Sequence, residues 1–208
     1  MHVTTEALNR PRRTQEERRA ETRRKLIDAT IIVLEERGAA QMTMAEVAEK
    51  AGLTRGAIQY HFDTPKALLK ATVIEIAARL GGMLDADELI KMDLNSRIDK
   101  VIDISWKGYT SANYMAFLEI AVQGRLDPDL GAAVRETLNE IEEGRAGTWF
   151  EIFADSGRTR EEIAGWRTAL QVMTRGLAIS KMISHPEDAI NPQIDRFKEM
   201  FKHQLGAG

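Results

Sequence analysis

Apolar residues recur along this chain at spacings of three and four, and no stretch alternates apolar with polar positions. The pattern predicts an all-α protein of about nine helices. The first runs from about Glu16 to Arg37, with Leu26, Ala29, Thr30, Val33 and Leu34 on one face, and Gly38 stops it. Two short helices follow. One starts at Thr43, where Thr43 and Glu46 fit a capping box, and the other covers about Thr54 to His61. A fourth spans about Pro65 to Leu80, Pro65 suiting a first turn, with Leu68, Leu69, Thr72, Val73 and Ile76 as its buried stripe. Beyond Gly81-Gly82 the helices lengthen. They cover about Asn95–Tyr109, Asn113–Arg125, Asp129–Ala154, Thr159–Ser184 (opened by a second box, Thr159 and Glu162) and a last one from Asn191-Pro192.

Two features of the later helices point beyond a simple core. The Thr159–Ser184 helix carries Leu170, Val172, Met173, Leu177, Ala178, Ile179, Met182 and Ile183 around nearly its whole circumference. A helix apolar on all sides needs cover on more than one side, and a partner chain is the simplest second cover. The last helix, with Phe197, Met200, Phe201 and Leu205, is expected to join it in a two-fold, four-helix interface of a homodimer. The middle helices gather Trp106, Tyr109, Tyr114, Phe117, Trp149, Phe153 and Trp166, with Phe150 beside them. Each alone reads as ordinary core. As a group they are candidate lining for an apolar ligand cavity, with Asn113, Glu119, Gln123 and Arg175 as polar handles.

Composition removes several function classes. The chain has no cysteine, so it has no disulfide, thiol nucleophile or sulfur-based zinc site. His2, His61, His185 and His203 are scattered without metal-ligand spacing, and no phosphate-cradling glycine loop or nucleophile elbow occurs. The expectation is a protein without metal, cofactor or catalysis. The apolar run around Ile31 to Leu34 is too short to span a membrane, and the first residues lack the apolar stretch of a secretory signal, so a cytoplasmic protein is expected. Net charge is −3, but residues 1–70 hold 13 Lys/Arg against 10 Asp/Glu while the remainder holds 16 against 22. Such asymmetry fits a front end that meets a polyanion.

Residues 43–62, TMAEVAEKAGLTRGAIQYHF, supply the motif. Two short helices meet at a turn containing Gly52, with Ala48, Leu53, Ile58 and Phe62 as their small core, the spacing of a DNA-reading helix-turn-helix. Its second helix would expose Arg55, Gln59 and Tyr60, with Thr54 as N-cap. Arginine pairs with guanine and glutamine with adenine in the major groove, while the Thr43 and Thr54 hydroxyls suit phosphate. The same geometry also occurs in proteins that never bind DNA. Arg10, Arg12, Arg13, Arg18, Arg19, Arg23, Arg24 and Lys25 form a basic stretch, and residues 1–15 of the chain read as a flexible arm. It is either a solvated tail or a contact to backbone or minor groove.

The long first helix, T-x-x-x-V-A-x-x-A-G-L-T-R-G-A-I over 43–58, and Tyr60-His61-Phe62 leading to Ala67-Leu68-Leu69 resemble the DNA-binding domain of the tetracycline-repressor (TetR) family. The resemblance covers about residues 18–72, and Arg125–Leu130 is similar to a loop many members carry. Gln59 stands where many members have an aromatic residue, and Pro65 where many have lysine, with Lys66 next. The resemblance implies phosphate contacts from His61 and Lys66, a homodimer on a palindromic operator of double-stranded DNA, and an effector pocket between the middle helices. An apolar or aromatic small molecule there would shift the protein to a conformer that leaves DNA. The expected domains are 1–15, a basic arm; 16–64, the helix-turn-helix; and 65–208, effector binding and dimerisation. An activator, or a regulator answering to a protein or to no ligand, would instead have its middle helices packed solid.

Overall fold

Each predicted helix forms because its apolar stripe finds a neighbour, and every start before the last helix is fixed by a capping side chain. The computed structural model describes residues 14–183 and 187–205, and among these no strand occurs. Helix α1 (Gln15–Arg37) opens on a capping box: Thr14 Oγ1 accepts from Glu17 N at 3.1 Å and Glu17 Oε2 accepts from Thr14 N at 2.8 Å. Gly38, at φ 73°, ends it. The basic residues from Arg18 to Lys25 therefore belong to a helix, and Arg10, Arg12 and Arg13 lie outside the described residues.

Helices α2 (Met44–Lys50), α3 (Arg55–His61) and α4 (Pro65–Gly81) complete the front end. Thr43 caps α2 by accepting from Glu46 N at 3.2 Å, but the Glu46 carboxylate takes the Thr43 hydroxyl proton instead of reaching back to the backbone, so that box is only half made. The box at Thr159 and Glu162 is complete. After α4 come α5 (Ala86–Leu89), α6 (Leu94–Tyr109), α7 (Ala112–Gln123), α8 (Pro128–Ile152), a 3₁₀ turn (Ala154–Ser156), α9 (Arg160–Ile183) and α10 (Glu187–Leu205). The four-residue α5 is too short to show a period; the Asp85 cap and the fully buried Leu89 hold it. Helix α10 starts ahead of the expected Asn191, which leaves Pro192 inside its second turn.

The helices enclose two hydrophobic cores. The first joins Leu26, Ile27 and Leu34 of α1, Val47, Ile58 and Phe62 of the helix-turn-helix, and Leu68 to Ile76 of α4. It continues into Ala116 and Ile120 of α7 and Leu130 and Val134 of α8. The second gathers Leu89, Ile98, Val101 and Ile102 with Trp149, Ile152 and Phe153, then Ile163, Leu170, Ile194, Phe201 and Leu205. Helix α8 runs through both. No helix among the described residues is long and apolar enough to cross a membrane.

Candidate nucleic-acid interface and ligand cavity

The front end presents one helix outward. Ile58 and Phe62 anchor α3 in the first core, which leaves Arg55, Gly56, Gln59 and Tyr60 exposed, Tyr60 to 69 %. Thr54 Oγ1 accepts from Ala57 N at 3.1 Å, so the N-cap still has its hydroxyl proton to donate outward. Helix α1 lies alongside: the Arg19 guanidinium sits 5.7 Å from the Tyr60 ring centre and that of Arg23 sits 5.4 Å from Phe62. Tyr60 meets His61 edge-on at 5.2 Å. Partial burial, then the charges of Arg19 and Arg23, hold the His61 imidazole below its usual pKa. Exposed arginines on α1 and exposed donors on α3 thus share one face.

Lys66 departs from the phosphate role implied by resemblance. Its Nζ lies 2.9 Å from Asp127 Oδ2 and 3.1 Å from Asp129 Oδ2, and this pairing raises the lysine's pKa and lowers that of Asp127. Pro65 holds the first helical position, so the lysine comes one residue later, turned by about 100° towards the start of α8. Two further ties fix α1 and the turn after it, one from α4 and one from α7. Arg79 Nη2 reaches Asp28 Oδ1 at 2.5 Å, and Glu119 Oε2 accepts from Ala39 N at 3.2 Å.

Between the two cores lies a part-open cavity of about 80 Å³. Val73, Ile76 and Leu80 of α4 and Phe117 of α7 bound it on the first core's side; Trp149 of α8 bounds it on the second's. Tyr109, Tyr114, Phe117 and Trp149 of the expected aromatic set come together here, Tyr109 and Tyr114 edge-on at 4.8 Å and Tyr114 stacked on Phe117 at 5.7 Å. Trp106, Phe153 and Trp166 do not line it. Trp106 is one residue round α6 from Ser105, which turns it away to the second core, below Lys181. Phe153, past the end of α8, stacks behind Trp149 at 5.6 Å, and Trp166 meets Phe201 edge-on at 5.0 Å.

Of the expected polar handles only Arg175 reaches the cavity; Glu119 is spent on the α1–α2 turn, and Asn113 and Gln123 are not on its wall. Glu142, Arg145 and Gln171 are wall residues that sequence reasoning missed. Arg145 Nη2 donates to Ala77 O at 2.7 Å beside Gly81, where a Cβ would fall 2.2 Å from that nitrogen. It brings a cation close to the C-terminal end of α4, as a helix C-terminus favours. Among the described residues no cluster of His, Asp or Glu is arranged to hold a metal.

Comparison with known proteins agrees with this arrangement. Residues 26–72, the front end described above, match the family "Bacterial regulatory proteins, tetR family". The chain is 29 % identical over 179 residues to the HTH-type transcriptional regulator CymR of Pseudomonas putida, covering 82 % of this chain and 84 % of that one. Its fold is similar to that of a TetR-family regulator from Mesorhizobium loti MAFF303099 (TM-score 0.72, 15 % identity, 89 % of this chain and 97 % of that one). It is also similar to a transcriptional regulator from Saccharomonospora viridis crystallised with choline (TM-score 0.65, 15 % identity, 88 % and 97 %). Residues 26–72 are thus a TetR-family DNA-binding domain, and the all-helical fold of the whole chain is that of TetR-family transcriptional regulators.

Proposed function

We propose that this regulator is a homodimeric repressor, released from a palindromic operator by a small molecule bound in the cavity between its two cores. The cavity carries the reading. Helices α4 and α8 pass from the first core, which holds α3, along the cavity wall, and α7 brings Tyr114 and Phe117 to it two residues before Glu119 grips the α1–α2 turn. A ligand that refills this space changes the fit of the two cores and, through these ties, the aim of α3. It acts only by binding one arrangement better than the other. A protein with no ligand to answer would have this region packed solid.

The second copy docks on α9. Its inward face is Ile163, Arg167, Leu170, Thr174 and Ala178; directly opposite lie Gly165, Thr168, Val172, Gly176, Ile179 and Ile183. Val172 and Ile183 are 64 % and 68 % exposed, and a Cβ on either glycine would meet nothing within 4 Å. An apolar face with two glycines lets a like helix approach closely across a two-fold axis. The share expected of α10 shrinks, since Phe201 and Leu205 turn inward to their own core.

Selection of bound sequences from a random DNA pool tests the function. The wild type is expected to enrich a two-fold symmetric site. Arg55→Ala and Gln59→Ala are each expected to cost about 1–3 kcal/mol at particular base pairs and relax preference there. Enrichment of no site, with only salt-sensitive binding left, would sink the repressor reading.

His61 offers a pH signature. A DNA phosphate near it raises the imidazole pKa from its depressed value in the free protein, so binding takes up a proton. Operator affinity is therefore expected to rise as pH falls through the range below about 6.5, by up to about tenfold per unit of pKa gained. His61→Gln should flatten that profile; an unchanged slope in this variant removes His61 from the interface.

A further inference from the structure

We infer that the cavity between the cores takes a monocarboxylate with an apolar body, its anionic end held by Arg175 and Tyr114. The inference rests on the reading of this cavity as an effector site and names the chemical class of the effector.

Charge carries the argument. Arg175 lies on the cavity wall with its guanidinium 5.2 Å from the Tyr109 ring centre, and no carboxylate pairs with it among the described residues. Its Nε is buried without a hydrogen-bond partner. A guanidinium has five donors and keeps its charge throughout the physiological range, so such a position is costly until an acceptor arrives. Glu142, the one carboxylate on the wall, is already engaged: one oxygen takes Arg167, and the other accepts from Gln171 Nε2 at 3.1 Å.

Arg145 adds a second cation whose hydrogen bond goes to a neutral carbonyl. Burial lowers its pKa, with Tyr109 and Glu142 opposing the shift and Arg167 and Arg175 adding to it. Tyr114 is 3 % exposed, and burial pushes its pKa up to about 12, so its hydroxyl is a neutral donor close enough to feel Arg175. Val73, Ile76, Phe117, Leu138 and Trp149 offer the apolar remainder. Aromatic rings alone would also suit a quaternary ammonium. Two guanidinium groups with no carboxylate bonded to them at the same wall repel one, and they favour an anion.

The test uses the full chain, with binding read by calorimetry and thermal shift. The probes are octanoate, 3-phenylpropionate, their neutral amides, and choline. At least one carboxylate is expected to bind at least about tenfold more tightly than its amide, because a site built to donate to the missing oxygen rejects the analogue. Arg175→Met is expected to erase that ratio while leaving the ligand-free melting temperature unchanged or slightly raised, since it removes a partly buried charge that no carboxylate pairs with; Arg175→Gln serves as a second variant should methionine disturb the packing. Octanoate against 3-phenylpropionate separates an alkyl from an aryl body. Tighter binding of an amide or of choline overturns the inference, as does a carboxylate preference that survives in both Arg175 variants, or no binding of either carboxylate at millimolar concentration. Release of operator by an amide or choline would spare the effector reading while overturning the carboxylate class. Failure to bind any operator would fall on the functional reading itself.

Discussion

Val172→Arg is expected to yield a folded monomer whose operator affinity is lower by about two to four orders of magnitude, the span that linking two reading heads contributes. Val172 touches no core of its own chain and is 64 % exposed, so its replacement should leave the melting temperature of the isolated subunit nearly unchanged. Across a two-fold axis the substitution places two like charges near each other in a surface that must shed water, which is unfavourable for the pair and harmless to the single chain. Sedimentation would report the mass, and titration of whole and half operators would report the affinity. Half-site binding equal to wild type, with whole-site binding reduced to the same level, is the predicted signature. A dimer of undiminished affinity would move the interface off the outer face of α9.

Arg97→Ala is expected to destabilise the protein by about 3–5 kcal/mol, because three backbone carbonyls lose their donor at about 1–3 kcal/mol each. Arg97 is 2 % exposed at the foot of α6. Its Nη1 donates to Ile152 O and to Asp155 Oδ1, both at 2.5 Å, and its Nη2 donates to Met92 O at 2.7 Å, to Asp155 Oδ2 at 3.0 Å and to Ile90 O at 3.3 Å. One side chain therefore closes the end of α8, the 3₁₀ turn and the α5–α6 connection. Its loss leaves three backbone carbonyls without their donor. The hydrogen bond from Arg97 holds the Asp155 carboxyl below the usual carboxylate range. That part of the stability is present at neutral pH and is lost as pH falls through the lowered pKa, an effect that the half-exposed Asp155 keeps small. Denaturant unfolding at neutral pH measures the main term. A loss under 1 kcal/mol would mean that water replaces the guanidinium at little cost.

Much of this architecture is legible from spacing alone, because the long helices each carry a stripe that a period of 3.6 reveals. The reading head is legible in finer detail: Ile58 and Phe62 are apolar and Arg55, Gln59 and Tyr60 polar or amphipathic, so inside and outside separate by residue type. The cavity is different. Trp106 and Tyr109 look alike as aromatic residues on α6, and only the packed helices decide that one faces the second core and the other the cavity. Arg145 and Gln171 sit among charged neighbours on long helices, where a polar residue reads as solvent-facing. Lys66 finds its partners some sixty residues away at Asp127 and Asp129, a tertiary pairing that no local pattern announces. The capping box at Thr14 was hidden for a different reason: the arginines around it read as a tail.

The cavity between the cores also bears on how the molecule comes apart. Where two packed regions face each other across space, the loss of one depends less on the loss of the other, and of the cavity-wall helices α4, α6, α7 and α8 only α8 has buried residues in both cores. Ligand-free, the chain should behave as two loosely coupled folding units. With the cavity filled, the same helices gain a common packed interior and melt as one. On the proposed mechanism the effector would be a switch of cooperativity as well as of DNA binding, and the form released from the operator would be the more unified body.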